Sequence, residues 1–398
     1  MNKALIVILM AATLDAVGAG LIFPILPELL RELTHSGEIA ILYGLLLAGY
    51  SGMAFLFAPV LGVLSDRIGR RPVLMLAMAG AVVDYLVMAI APNLAILVVG
   101  RLAAGITAAT LAVSTAYIAD ITEESQRARR FGLLYACFGL GFVVGPVLGG
   151  VLGEYWVRAP FLAAAVMNGV NLILAFYFLP ESRTGDGRVF SWNQVNPFRP
   201  LGWALRFKEI RPLLLVYAGM AFVGTSYVTA WVLFAEDQFG WGMAIVGLSL
   251  AAYGVAQATA QALLTGPAAA LLGNRGAVLA GLVMEVIALF VLSMAGHGWI
   301  AFALLPIFAL GGIGEPALQS LLSSKVGQAH QGQLQGVLVS IASLMAALGP
   351  IFFATAYGLL RGEWPGAIWL IVAGLYVLIV PIILMGGQAW KLTNATKE

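Results

Sequence analysis

The sequence has 398 residues, of which 61% are hydrophobic and only 10% are charged. About a quarter of the residues of a soluble domain are usually charged, so this composition excludes a soluble protein and indicates one that spans a membrane. The formal net charge of +2 gives no reason to expect nucleic-acid binding. Cys137 is the only cysteine, so the chain can form neither an internal disulfide nor a cysteine metal cluster.

Long apolar runs predict an all-α membrane protein with twelve transmembrane helices, because each run is about long enough to cross a hydrocarbon layer of about 30 Å. The first run has no small-residue cleavage site and is interpreted as a helix, not as a cleaved signal peptide. The predicted helices lie near residues 4–28, 38–64, 73–91, 94–118, 131–153, 160–180, 212–235, 243–265, 277–296, 299–324, 334–359 and 365–387.

A basic segment at 62–72 separates the second and third predicted helices, and we expect a tight loop there. Cytoplasmic connections are enriched in Lys and Arg, so its three arginines place it in the cytoplasm, and the charge asymmetry of the other connections places both termini there too. The segment resembles the signature loop of the major facilitator superfamily. The resemblance implies a cytoplasmic gate in which Asp66 pairs with Arg70. The gate motif comprises Gly62, Asp66, Arg67, Gly69, Arg70 and Arg71.

The fifth predicted helix carries closely spaced small residues and a proline, a pattern that favours a close-packed, kinked helix whatever its function. It resembles the fifth-helix motif of proton-coupled exporters in the superfamily, which implies export and not import. The motif residues are Gly141, Gly145, Pro146, Gly149 and Gly150.

Residues 183–211 interrupt the apolar pattern and predict a cytoplasmic linker between two six-helix domains, 1–182 and 212–398. Landmarks recur across the linker at a constant offset of 204 residues. This repeat predicts the two pseudo-symmetric bundles of the major facilitator fold, with a substrate site near the bilayer midplane between them. The recurring pairs are Gly62 with Gly266, Gly69 with Gly273, Gly132 with Gly336, and Gly145-Pro146 with Gly349-Pro350.

Ionisable side chains inside a membrane are costly, so each one is a candidate functional residue. Five such residues are predicted to lie within the helices, and we assign them to proton coupling. Glu285 is the leading carrier, because a carboxyl group in an apolar helix can exchange a proton for a cation. The other four residues have alternative roles: a packing hydrogen bond for Asp15, a gating contact for Asp84, an ion pair for Arg101 and simple solvation for Glu315. The set is Asp15, Asp84, Arg101, Glu285 and Glu315.

Gln257 and Gln261 lie one turn apart on the eighth predicted helix and therefore share a face. Together with Asp15 they are candidate substrate-binding residues. Hydrogen bonding between helices explains the two glutamines about equally well.

Segments 14–27, 231–241, 316–319 and 333–336 resemble the tetracycline/proton exporters. The resemblance implies an antiporter of the bacterial inner membrane that acts as a monomer, with protons as the coupling ion, no cofactor, and magnesium only as part of a magnesium–tetracycline cargo. Ala54, Gln257 and Glu285 stand where that group commonly has glutamine, histidine and aspartate. Glutamate keeps the acid, whereas loss of the glutamine and histidine removes polar contacts and leaves a more apolar substrate open; a tetracycline-like drug is the leading substrate.

Two other transport functions stay open: a multidrug/proton exporter of lipophilic compounds and, less favoured, a proton-coupled importer of metabolites. An enzyme is the weakest alternative. The sequence has no phosphate-binding loop, no metal-ligand spacing of His and Cys, and no nucleophile-base pair.

Overall fold

Long α-helices make up the chain, and the described residues contain no β-strand. The computed structural model describes residues 3–183, 195–204, 206–326 and 330–385. In chain order the helices are α1 Lys3–Thr34, α2 Ala40–Ile68, α3 Arg70–Ile90, α4 Leu94–Thr107, α5 Thr110–Asp120, α6 Glu124–Tyr155, α7 Ala159–Phe178, α8 Arg199–Ala204, α9 Arg211–Phe239, α10 Met243–Ser293, α11 Gly298–Gly311, α12 Gly314–Lys325, α13 Gln331–Leu360 and α14 Ala367–Met385.

Eleven helical stretches in the described residues are long and apolar enough to cross a membrane. The longest of them, α10, has a non-helical residue, Gly273, in its interior and therefore comprises two spans. Helices α4 and α5 together form one span, and so do α11 and α12. The prediction of twelve membrane-spanning helices is confirmed.

The expected loop at 62–72 is wrong, because α2 continues to Ile68 and α3 begins at Arg70. One non-helical residue, Gly69, separates the two helices. Its backbone angles, φ 103° and ψ 159°, lie in a region of conformational space that almost only glycine adopts. Gly273 has φ 68° and ψ 163°, so the paired glycine of the repeat makes the same kind of break.

A further pair of breaks extends the internal repeat. Helices α4 and α5 are interrupted at 108–109, and α11 and α12 at 312–313, again at the offset of 204 residues. The residues at the two breaks differ in type, two alanines against Gly312 and Ile313, so the sequence alone did not reveal this pair.

The described residues fall into two compact units. The first comprises Met1–Pro197 with Trp241–Ala251, and the second comprises Phe198–Gly240 with Ala252–Glu398. In the first unit α1 packs mainly against α6 and α7, and in the second α9 packs against α13 and α14. The predicted linker contains the short helix α8, which we did not predict, and its residues 184–194 and 205 lie outside the described part. The domain boundary at 183–211 stays a prediction.

We expect Gly273→Ala to destabilise the protein by about 1–3 kcal/mol, the cost of forcing a side chain into a backbone region that only glycine adopts readily. A methyl group would meet nothing within 4 Å at this position, so the effect isolates backbone strain from steric clash. The measurement is thermal unfolding of the purified protein in detergent.

Gly266→Ala is the matched control, because Gly266 lies within α10 at an equally open position and its backbone is helical. Alanine stabilises a helix relative to glycine by roughly 0.5–1 kcal/mol. Equal stabilities of the two variants would contradict the argument from backbone conformation.

Candidate functional site

A cavity of about 230 Å³ lies within the second unit, and three of the sequence-predicted site residues line it: Gln257, Glu285 and Glu315. Aromatic side chains and glycines form much of the remaining wall, namely Tyr227, Tyr253, Tyr376, Gly224, Gly311 and Gly312. The cavity is therefore an apolar pocket with a few convergent polar groups, which is the usual composition of a small-molecule site.

The break between α11 and α12 makes room for the polar side chains. A Cβ atom at Gly311 would collide with the Glu285 side chain, and one at Gly312 would lie 2.9 Å from the amide nitrogen of Gln257. Gln261 donates a hydrogen bond of 3.2 Å to the Gly312 carbonyl, so it satisfies backbone at the break. Gln257 thus faces the cavity, whereas Gln261 has the structural role that we considered as its alternative.

Glu285 is only 5% exposed, and it accepts a hydrogen bond of 2.5 Å at Oε2 from the Tyr227 hydroxyl. Among the described residues that line the cavity, none is basic. The carboxyl group therefore has a hydrogen-bond donor beside it and no positive charge on the cavity wall.

Glu315 faces the same cavity from the first turn of α12, and the residue is exposed. Its Oε1 accepts a hydrogen bond of 3.1 Å from Gln319, one turn later on the same helix. The two acids of the cavity thus differ in access, since Glu285 is enclosed and Glu315 is exposed.

The first unit contains a buried ion pair. The Nη1 atom of Arg101 lies 2.6 Å from Oδ2 of Asp84, and the two side chains are 4% and 5% exposed. The guanidinium also lies over the Tyr50 ring, 4.3 Å from its centroid, in a cation–π contact. Arg101 therefore forms the structural ion pair that the sequence analysis gave as the alternative to a role in proton coupling.

Asp15 lies on α1 in the first unit and is half-buried. Tyr50 and Tyr85 lie within electrostatic reach of both Asp15 and Asp84. Asp15 therefore belongs to the polar surroundings of the buried ion pair, while Glu285 and Glu315 share the cavity of the second unit.

The predicted contact between Asp66 and Arg70 is confirmed, with Oδ1 of Asp66 lying 2.6 Å from Nη2 of Arg70. Three partners that the sequence did not reveal complete the cluster. Arg183 lies 3.1 Å from the same Asp66 oxygen, and Asp120 lies 3.1 Å from Nε of Arg70. The role of the cluster as a cytoplasmic gate stays a prediction.

Glu181 is the third partner, and it caps α3. Its Oε1 accepts a hydrogen bond of 2.7 Å from the backbone N–H of Arg70, where a carboxylate also complements the positive end of the helix dipole. A side chain at Gly69 would collide with this carboxylate. Glu181 follows directly after the sixth predicted helix, but no local pattern could show that it reaches a helix that begins 111 residues earlier.

The glycines of α6 pack directly against the backbone of α1. Cβ atoms at Gly141, Gly145 and Gly149 would collide with the carbonyl oxygens of Thr13, Val17 and Leu21, respectively, so residues four apart on one helix meet residues four apart on the other. Gly150 makes an equally close contact with the backbone of Met243, which belongs to the same unit. The expectation of a close-packed helix is confirmed, while the direction of transport stays a prediction.

Comparison with known proteins decides the family. The Major Facilitator Superfamily profile matches residues 8–350. The chain belongs to this family. It is 48% identical to the tetracycline resistance protein, class C, of Escherichia coli, over 99% of each chain. It is 43% identical to the class G protein of Vibrio anguillarum, over 96% of this chain and 98% of that protein.

Solved structures support the fold of this superfamily member. The crystal structure of a bacterial homologue of the human lysosomal transporter Spinster matches with a TM-score of 0.79 at 15% identity, covering 97% of each chain. The fold class predicted from the sequence is thereby confirmed, as is the resemblance to the tetracycline exporters.

We expect Arg101→Met to destabilise the protein by about 3–5 kcal/mol, because it would leave the buried Asp84 carboxylate without its partner. The double variant Asp84→Leu/Arg101→Met removes both charges and should recover most of this loss. Thermal unfolding of both variants in detergent provides the measurement. A double variant no more stable than Arg101→Met would contradict the role of the ion pair.

Gly145→Ala should disrupt the packing of α6 against α1, because the added methyl group would meet the fixed backbone of α1. We expect the free energy of unfolding to fall by several kcal/mol, which is at the high end for overpacking, and the yield of folded protein to fall as well. Gly139→Ala is the matched control on the same helix, since a Cβ atom there would meet nothing within 4 Å. Gel-filtration profiles and thermal unfolding compare the two, and equal behaviour would exclude close packing as the role of Gly145.

Proposed function

We propose that the chain is a proton-coupled antiporter that exports a tetracycline-like drug across the bacterial inner membrane, with both termini in the cytoplasm. Two relatives named as tetracycline resistance proteins, similar over nearly their whole length, support this proposal. The observation that carries the mechanism is the position of Glu285, buried at the wall of a cavity without a basic residue among its described lining.

Such a carboxyl group can be neutralised in two ways: by a proton or by a cationic cargo. Burial makes the unneutralised charge costly, so the empty, charged state is disfavoured and the two ligands compete for one site. If the conformational change occurs only when the charge is neutralised, each cycle exchanges protons for cargo. This is the exchange that an antiporter requires.

The remaining charged residues take different roles in this mechanism. Asp84 and Arg101 neutralise each other at 2.6 Å, so we assign them to a fixed pair near the proton path and not to proton release. Glu315, which is exposed and lines the cavity, is suited to attract cations to it. Asp15 is not part of the pair between Asp84 and Arg101, so it is the first unit's own candidate for carrying a proton.

The cargo is proposed to be a magnesium–tetracycline chelate. Magnesium prefers oxygen ligands, and two carboxyl groups together with the Gln257 amide face the cavity. At about 230 Å³ the cavity is smaller than the roughly 300–1,000 Å³ of pockets that enclose a drug-sized ligand. It can therefore hold the charged end of the drug but not the whole molecule.

We expect Glu285→Gln to abolish drug-dependent proton release while the protein stays folded, because glutamine keeps the shape of the side chain and cannot carry the proton. In everted vesicles with an acidified lumen, tetracycline and magnesium are added and the lumenal pH is followed with a fluorescent dye. Glu285→Asp retains the acid and should retain part of the response. Glu363→Gln, which changes an exposed glutamate outside the cavity, is the matched control and should respond as the parent does.

The same assay separates the alternatives. Proton release on addition of lipophilic cations, but not of tetracycline, would replace the proposal with a multidrug exporter. A full response in Glu285→Gln would exclude Glu285 as the coupling acid. Proton uptake that accompanies entry of a metabolite would favour an importer.

A further inference from the structure

Tyr227 is the residue that contacts Glu285 most directly. We infer that Tyr227 is a positioning residue for the coupling acid: its hydroxyl stabilises the Glu285 carboxylate once the proton has left, and so sets the pH range in which exchange occurs. This inference rests on the proposed exchange at Glu285 and adds a residue that no sequence motif indicated.

The geometry fits donation to a charged acceptor. The Tyr227 hydroxyl lies 2.5 Å from Oε2 of Glu285, at the short end of the range for a hydroxyl donating to a carboxylate. A hydroxyl that donates to the carboxylate favours its charged form. When Glu285 gains a proton, the acid can itself become the donor and the Tyr227 hydroxyl can accept, so the contact is compatible with both states.

Surrounding rings hold Tyr227 in place. Tyr253 and Trp369 stack on it at centroid distances of 5.7 and 6.2 Å, with interplanar angles of 23° and 24°. Phe308 meets it edge-on at 5.8 Å. Trp369 is fully buried, so this wall cannot shift without losing core packing. The direction of the hydroxyl is thus fixed by packing before the proton moves.

The other titratable groups facing Glu285 do not provide this stabilisation. They are Tyr253 on the first part of α10, Glu315 on α12, and Tyr376 on α14. Glu315 has the same charge sign as Glu285, and Tyr253 and Tyr376 lie within electrostatic reach of Glu285 but form no hydrogen bond with it. Within the described cavity wall, Tyr227 is therefore positioned to respond to the charge state of Glu285.

The test is the pH profile of drug-dependent proton release in everted vesicles carrying Tyr227→Phe, which keeps the stacked ring and removes the hydroxyl. A hydrogen bond to a charged group contributes enough to move the midpoint by about one to two pH units, toward higher pH, because proton release loses its stabilising donor. A merely structural role would lower the rate at every pH and leave the midpoint in place. An unchanged midpoint would overturn the inference.

Tyr253→Phe is the matched comparison, because it removes a hydroxyl that lines the same cavity and forms no hydrogen bond with Glu285. Whatever its rate, its midpoint should stay at the parent value. If Tyr227→Phe does not fold, Tyr227→Leu takes its place, because it also removes the hydroxyl; its midpoint should move in the same direction, and no shift would overturn the inference.

Glu285→Gln separates this inference from the proposed function. If that variant still exchanges protons, the proposed function fails. If that variant is inactive and the Tyr227→Phe midpoint is unchanged, only the role of Tyr227 fails.

Discussion

A backbone that crosses a hydrocarbon layer must satisfy its own N–H and C=O groups, because no water is available to do so. In this chain, non-helical backbone within the spans is therefore confined to a few short breaks among the described residues. Gly69 and Gly273 each interrupt a helix by one residue, and breaks at 108–109 and 312–313 interrupt two others. The charged cluster around Arg70 lies beside the first, and the acidic cavity is built on the last. Two of the four departures from regular helix thus lie beside polar groups to which function is assigned.

Two buried acids illustrate how surroundings decide the role of a residue. The Arg101 guanidinium lies 2.6 Å from the Asp84 carboxylate, so the negative charge of Asp84 is compensated within the protein. Glu285 has a tyrosine hydroxyl at 2.5 Å and a cavity beside it, so its charge can be compensated only by something that arrives. Composition and hydropathy treat the two acids alike, and the difference becomes visible only once their neighbours are known.

The sequence predicted the features that depend on local pattern. Run lengths predicted the spans, the recurring glycines predicted the repeat, and the cost of burying charge selected Asp84, Arg101 and Glu285. All three are at most 5% exposed. The Asp66–Arg70 contact was predictable from the family resemblance, since the two residues are one helical turn apart.

The partners of these residues were not predictable. Glu181 reaches Arg70 across 111 residues, and Tyr227 reaches Glu285 across 58, so each contact depends on how helices pack and not on any local signal. The tight loop at 62–72 was wrong for a related reason. Arginines and glycines in a connection suggest solvent-exposed coil, but one residue in a glycine-only conformation lets both helices continue.

The two halves share their helix breaks but not their ionisable residues. At the offset of 204 residues, Asp84 and Arg101 correspond to Ala288 and Leu305, and Glu285 corresponds to Ala81. The same backbone plan thus holds a buried ion pair in one half and a buried acid beside a cavity in the other. A substitution of the acid in one half therefore leaves the salt bridge of the other half intact.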